Sequence, residues 1–367
     1  MTIFNDCKGI YKNKKVLITG NTGFKGSWLS IWLLSLGAEV YGISNSIPST
    51  PSHFETADLK KRITHYDIDI RDFKPVLDVF KEVKPDFVFH LAAQPLVRYS
   101  YQEPLLTLET NFIGTTHILE ALRIADNPCI AVFITSDKAY DNQEWPWGYR
   151  ETDALGGKDP YSASKGAAEL AIKSYTHSFF QLEDSKIKLA VGRAGNVIGG
   201  GDWALDRIVP DCIVAWAKNR SVDIRSPHAT RPWQHVLEPL SGYLLLGEQL
   251  ATNDKIHGEA FNFGPPSSHD YSVCQLIEEM KKGWRNVEWN DVSKKDEKLH
   301  EAHLLKLSCA KAFHTIQWAP VLSFLETVRF TIDWYREFYE NQDCDVFEMS
   351  LKQIQAYISI GREKRHE

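Results

Sequence analysis

Two groups of residues in this 367-residue chain have types and spacing suited to chemistry. The first is Gly20-Asn21-Thr22-Gly23-Phe24-Lys25-Gly26, with glycines spaced G-x-x-G-x-x-G. Such glycines permit a tight turn, let backbone approach a pyrophosphate, and allow a helix to pack closely on a strand. The helix N-terminus then faces the phosphates. A plain strand–helix turn also fits a glycine-rich loop, but three spaced glycines at the first such junction favour a dinucleotide. The second group is Tyr161-Ser-Ala-Ser-Lys165. An i,i+4 spacing puts phenol and ammonium on one helix face. Beside an oxidised nicotinamide the ammonium would lower the tyrosine pKa from about 10, giving a base for alcohol oxidation. An ordinary exposed pair is the bland alternative, and the upstream fingerprint argues against it.

These residues need elements to position them. Strands are expected at Val16–Thr19, Val40–Ile43, Thr64–Ile68, Phe87–Leu91, Val132–Thr135 and Leu189–Arg193. Helical periodicity fills the gaps at Ser27–Leu36, Phe73–Glu82, Leu105–Ile124 and Tyr161–Phe180, with Gly37 at a C′ position. Apolar strands alternating with helices predict an α/β fold, a Rossmann-type doubly wound parallel sheet buried on both faces. Beyond about Gly199 the helices Ala204–Asn219, Pro239–Leu250, Val273–Lys282 and Leu322–Tyr339 dominate, with brief strands Val222–Ile224 and Ala260–Gly264. The expected division is residues 1–198 for the cofactor and a smaller α/β lobe at 199–367, with segments near 230–264 returning to the first domain.

Two further turns fit a dinucleotide. Asp69 and Ile70 follow the third strand, where a carboxylate can accept from an adenine amino group. Leu91-Ala92-Ala93-Gln94 follows the fourth, with small residues where backbone passes a ribose. The second strand ends Ile43-Ser44-Asn45, with no Asp or Glu for the adenosine 2′-hydroxyl and no Arg for a 2′-phosphate. NAD is therefore expected over NADP, weakly held.

With 42 Lys+Arg against 48 Asp+Glu the net charge is −6, and the pI near 6.1 argues against a nucleic-acid partner. Six scattered cysteines without a C-x-x-C pair suit reduced thiols, and no metal site is expected. No secretory h-region and no run near ~18 apolar residues is visible, so the expectation is a soluble cytoplasmic protein without a membrane span. The charge-rich stretch 294–303, with His300 and His303, reads as a solvated surface.

Taken together, Gly20–Gly26, Asp69-Ile70, Leu91–Gln94 and Tyr161/Lys165 resemble the extended short-chain dehydrogenase/reductase superfamily, from about residue 14 to about residue 340. Thr135-Ser-Asp-Lys-Ala-Tyr140, Trp147-Gly-Tyr-Arg-Glu151, Arg193–Trp203 and Arg231-Pro-Trp-Gln-His-Val236 narrow the resemblance to nucleotide-sugar 4,6-dehydratases, nearest to the group acting on CDP-glucose. The resemblance implies an NAD-dependent lyase that oxidises C4, eliminates water across C5 and C6, and returns hydride to C6. That step feeds CDP-linked dideoxy sugars of surface polysaccharide such as O-antigen. Tyr161 is then the alcohol base, Lys165 its tuning partner, Ser136 the C4-oxygen contact and Asp137 the acid at C6. Lys138 stands where thymidine-type relatives carry a Glu base, and is either the C5 base or an electrostatic stabiliser. Asn196 and Arg231 would hold the substrate diphosphate, with Arg207 and Arg193 as weaker candidates. Trp145, Trp147 and Tyr149 fit a sugar pocket or a core equally. A homodimer, or higher homo-oligomer, through Leu105–Ile124 and Ala167–Phe180 is implied. A 4-epimerase needs no acid/base pair after Ser136, and a cofactor-sensing regulator would be expected to lack Tyr161 or Lys165; this chain has all of them.

Overall fold

A computed structural model describes residues 7–266, 270–284, 287–293 and 304–364. Seven strands form one parallel sheet: β1 Lys15–Thr19, β2 Glu39–Ser44, β3 Thr64–Asp67, β4 Phe87–His90, β5 Cys129–Ile134, β6 Ile187–Ala194 and β7 Ala260–Phe263. Their order is β7-β6-β5-β4-β1-β2-β3. All six of its strand pairings are parallel, with Thr19 opposite Ile43 of β2 and His90 of β4. The sheet is the expected doubly wound one, and the order in which strands are added reverses between β1 and β4.

Alternation within the strands explains why both faces are covered. Val16, Ile18, Phe87, Phe89, Val132 and Ile134 enter one core, whereas Leu17, Val88, Ala131 and Phe133 enter the other. The first face is covered by α1 (Phe24–Ser35) and the second by α2 (Phe73–Val83) and α3 (Gly114–Ala125). Helix α4 (Pro160–Tyr175) adds Ile172 to the second core. Gly37 ends α1 at φ +82°, a left-handed position that costs glycine little.

Two expected helices are interrupted. Leu105–Ile124 is split into Pro104–Leu108, a π turn at Glu109–Ile113, and α3. The wider turn points Asn111 inward, where it is buried and hydrogen-bonded. Tyr161–Phe180 likewise ends in a π turn at Thr176–Phe180. The expected helix Ala204–Asn219 contracts to α5 (Ile208–Trp216), because Asp202 accepts from the Ala204 amide and Asp206 sits at φ +59°. The stretch 294–303 lies outside the described residues.

Later elements are α6 (Leu237–Thr252), α7 (Val273–Lys282), α8 (Phe324–Glu340) and α9 (Val346–Glu363). Helix α6 packs on β5 and β6, and β7 pairs with β6. The C-terminal helix, which the hydrophobic pattern alone did not announce, packs on α1 through Trp32 and Tyr357. Among the described residues no helix is long and apolar enough to cross a membrane.

Buried Glu238 of α6 ties these parts together. Its carboxylate accepts from the amides of Val321 and Leu322 and from the Tyr357 hydroxyl. Burial outweighs those donors and pushes its pKa up to about 7 from 4.5. A carboxyl raised in the folded state stabilises most below the unfolded pKa and loses that contribution as pH rises to the folded one. The Glu238 contribution, ~3 kcal/mol, should therefore fade between pH 4.5 and about 7. Thermal melts of Glu238→Gln should lack this slope; an identical pH dependence in both proteins would refute it.

Candidate active site

A cavity of about 1130 Å³ opens at the carboxyl ends of the strands, across the β1/β4 reversal. That is where open α/β sheets bind ligands. Gly20 turns at φ +77°, and a Cβ there would lie 2.8 Å from the Ala92 nitrogen. A Cβ on Gly26 would lie 2.1 Å from the Gly20 carbonyl oxygen. The loop and α1 are thus packed as closely as backbone allows. Gly23 at the N-cap has no side chain to cap the helix, which leaves its first amides free to face an anion.

Gly20, Thr22, Gly23, Phe24, Lys25 and Gly26 all line the cavity. So do Asp69, Ile70, Leu91, Ala92 and Ala93. Asn21 and Gln94 do not. Asn21 is buried against Gly42, its amide 3.2 Å from His65 Nδ1. The Gln94 side chain bonds Leu96 and Thr107, and its backbone amide donates to Asn111 Oδ1 at 2.7 Å. Asp69 accepts from Arg71 and from Asn45 Nδ2, and the Arg71 contacts hold its carboxyl below the usual range. Asn45, just past the end of β2, thus reaches a carboxylate from the turn after the neighbouring β3, at 2.8 Å.

The catalytic candidates converge on the same cavity. Ser136, Lys138, Tyr161 and Lys165 line it, while Asp137 is buried just behind. Ser136 donates to Asp137 Oδ1 at 2.9 Å and accepts from the Lys138 amide at 3.2 Å, capping a short 3-10 turn. Burial raises the Asp137 pKa, against the opposing charges of Lys138 and Lys25 and the Ser136 hydrogen bond. Burial also pushes the Tyr161 phenol up to about 12; Ser136 and Arg207 pull it down, and Asp137 pushes it further up. Lys165 falls to about 8 through burial, with Glu169 opposing. The expected tuning of Tyr161 by Lys165 is therefore not the largest influence here: desolvation is.

Around Tyr161, buried Asn111 donates to Ser164, which donates to the Tyr161 carbonyl. Thr115 donates to the Asn111 carbonyl and so accepts from His90 Nε2, whose other nitrogen accepts from Thr19. Burial lowers the His90 pKa to about 3, keeping it neutral. Asn111 and His90 were missed because a polar residue inside a helix or strand pattern carries no signal of its own.

Asn196, Arg207 and Arg231 line the other half of the cavity. Arg207 is held by Asp202 at 2.8 Å, and Arg231 Nη1 donates to the Thr230 carbonyl at 2.9 Å. Arg193 lies elsewhere, buried against Glu169 rather than open to a phosphate. Trp145, Trp147 and Tyr149 also stay off the cavity wall and stack on one another, with ring centroids 5.3 and 5.4 Å apart. Lys25 of the glycine loop, expected at the cofactor, also lies close to the catalytic candidates. It interacts with Asp137, Arg207 and Lys165, and burial lowers it to about 8.

A nucleotide cradle beside a Tyr/Lys pair, at the reversal of a parallel sheet, is the arrangement of a dinucleotide-dependent enzyme of the short-chain dehydrogenase/reductase type. The family model described as GDP-mannose 4,6 dehydratase matches residues 17–331, and the chain belongs to that family. It is 44% identical to a CDP-glucose 4,6-dehydratase of Salmonella typhimurium, over 96% of this chain and 98% of that protein. The fold is shared with DesIV of Streptomyces venezuelae, a dTDP-glucose 4,6-dehydratase solved with NAD and TYD bound (TM-score 0.73, 22% identity, 88% of this chain and 97% of that one). A UDP-glucose 4-epimerase of Thermotoga maritima shares it too (TM-score 0.73, 23% identity, 88% and 99%).

The cradle yields a direct test. In Gly26→Ala the new methyl meets the Gly20 carbonyl, so the loop must open away from α1. Calorimetric titration with NAD+ should show affinity reduced by about tenfold or more, with an unchanged far-ultraviolet spectrum. Wild-type affinity would place the cofactor elsewhere.

Proposed function

We propose that the chain is an NAD-dependent hydro-lyase that converts CDP-D-glucose to CDP-4-dehydro-6-deoxy-D-glucose and water. The observation that carries this reading is the convergence of Ser136, Lys138, Tyr161 and Lys165 on the cavity cradled by Gly20–Gly26, with Asp137 directly behind. The near full-length similarity to a CDP-glucose 4,6-dehydratase supports cytidine as the base.

Gly20–Gly26 and the α1 N-terminus would hold NAD+, which would supply a reversible hydride acceptor for the sugar. The tight loop, the uncapped α1 amides and the adjoining cavity fit such a group. Tyr161 takes the proton of the C4 hydroxyl while Ser136 holds its oxygen. The new ketone acidifies C5–H. Asp137, its pKa raised by burial, keeps a proton for the departing C6 hydroxyl. Lys138 serves C5 as base or enolate stabiliser. Asn196, Arg207 and Arg231 take the substrate diphosphate, for which guanidinium suits bidentate contact. In this reading residues 1–198 hold the cofactor and 199–367 the substrate, with residues near 230–264 returning to the sheet. Exposed Leu105, Ile113, Leu170 and Phe179 support association through those helices as a homodimer or larger homo-oligomer. Similarity to a CDP-glucose 4,6-dehydratase supports a place for this step ahead of CDP-linked dideoxy sugars.

The experiment that tests the reading is turnover of a nucleotide-glucose panel with NAD+, following the 4-keto product. CDP-glucose should be the preferred substrate, and a product that retains its C6 hydroxyl would overturn the assignment in favour of epimerisation. Tyr161→Phe should slow turnover about 10²–10⁴-fold with NAD+ affinity retained; near-normal rates would remove Tyr161 from the chemistry.

Damage to the elimination pair should be selective. Asp137→Asn and Lys138→Met should both block loss of the C6 hydroxyl. Exchange of the C5 proton in deuterated solvent separates their roles. Much slower exchange in Lys138→Met identifies Lys138 as the C5 base. Equal exchange in the two variants identifies it as a stabiliser.

A further inference from the structure

Behind the cavity, out of reach of any ligand in it, lies a buried ion pair that the proposed chemistry does not use. Glu169 of α4 and Arg193 of β6 each have side chains 4% exposed and meet at 2.5 Å. A second contact, from Arg193 Nε to Glu169 Oε1 at 2.7 Å, makes the pair bidentate. Neither residue lines the cavity. A buried pair is weak evidence for stability, because well-packed apolar residues often do as well. What apolar residues could not do is make this pair's other contacts.

Two of those contacts fall on the two ends of one segment, and a third runs from Arg193 Nη1 to the Glu151 carbonyl at 3.1 Å. Thr135, immediately before Ser136, donates to Glu169 Oε1 at 2.6 Å. Tyr140, two residues beyond Lys138, accepts from Arg193 Nη1 at 2.7 Å, and the guanidinium lies 4.8 Å from its ring centroid. Tyr140 in turn donates to Asn262 on β7 at 2.8 Å. Glu169 also follows Lys165 by one turn of α4 and is the charge that opposes its desolvation.

We propose that Glu169 and Arg193 are positioning residues: together they clamp Thr135 and Tyr140, the two ends of the Ser136–Lys138 segment, and they set the field around Lys165. This inference rests on the catalytic reading above. The pair touches neither substrate nor cofactor, so its effect is on geometry and charge. A displacement of about 1 Å among reacting groups can cost on the order of 10²-fold in rate.

Two variants test it. Glu169→Gln keeps the shape and the acceptor for Thr135 but removes the charge. Lys165 then loses the charge that opposes its desolvation and is left beside Tyr161 of its own helix, Lys25 and the neutral His90. Its proton should leave at lower pH. Competitive amine labelling of Lys165, read by peptide mass spectrometry without substrate, should show a midpoint lowered by about 1 pH unit. The alkaline limb of the kcat profile should move the same way. Glu169→Gln/Arg193→Met removes both charges and the donation to Tyr140. It should reduce kcat about 10- to 100-fold while KM changes less than about threefold. An unmoved labelling midpoint in folded Glu169→Gln, or wild-type kcat in the double variant, would overturn the proposal. Should the double variant not fold, the labelling result decides. A wild-type protein inert toward every nucleotide-glucose would sink the catalytic reading instead, and the labelling would still measure the field at Lys165.

Discussion

The approach of Gly20 to Ala92 is the constraint on which the rest of the site depends. These residues follow β1 and β4, neighbouring strands whose connections leave toward opposite faces of the sheet. Their backbones come so close that a Cβ at Gly20 would lie 2.8 Å from the Ala92 nitrogen. Any side chain there would prop the crevice open. With none, Gly26 can seat α1 against the Gly20 carbonyl, and the uncapped helix end points its partial positive charge into the cavity. The pairing of β1 with β4 sets Thr19 opposite His90, and so links the cradle to Thr115 and Asn111.

Desolvation is what that closeness does to the chemistry. Four groups around one cavity are each pushed toward their neutral form: Tyr161 and Asp137 upward, Lys25 and Lys165 downward to about 8. For Asp137 the direction suits an acid, since an ionised carboxylate has no proton to give. For Tyr161 it opposes a base, and the phenol at about 12 needs positive charge beside it to be useful near neutrality. Arg207 already acts in that sense. The site therefore combines a carboxyl prepared for its task with a phenol whose preparation is completed by what binds.

How much of this was legible depends on whether a residue's role is local. The strands alternate between two cores, so their periodicity was readable, and the helix Val273–Lys282 begins and ends where its pattern does. The π turn at Glu109–Ile113 was hidden, because one extra residue in a helical turn leaves the apolar pattern nearly intact while rotating Asn111 inward. Helix 204–219 was over-read, because its apolar content continues through residues whose backbone is held by Asp202. Arg193 sits in a block that reads like a ligand contact, yet its partner is Glu169, 24 positions earlier. An i,i+4 step from Lys165 would have pointed to Glu169; nothing local joins it to Arg193.

The adenosine end shows the same principle with consequences for binding. A carboxylate is absent from the tip of β2 in the linear motif, but Asn45 stands there and reaches Asp69 at 2.8 Å. A carboxylate can thus arrive from β3, because parallel neighbours end side by side. It does not arrive unencumbered. Arg71 engages both Asp69 oxygens, through Nε at 3.1 and 3.0 Å and Nη2 at 2.6 Å, and Asn45 takes a further position on one of them. A carboxylate offers about four lone-pair sites, so most of this one's capacity is already committed within the protein. A hydroxyl donating to it would compete with a guanidinium and an amide rather than meet an open acceptor. This shared acceptor supports the proposal of weak NAD retention, in which the glycine loop and the α1 amides would carry most of the grip.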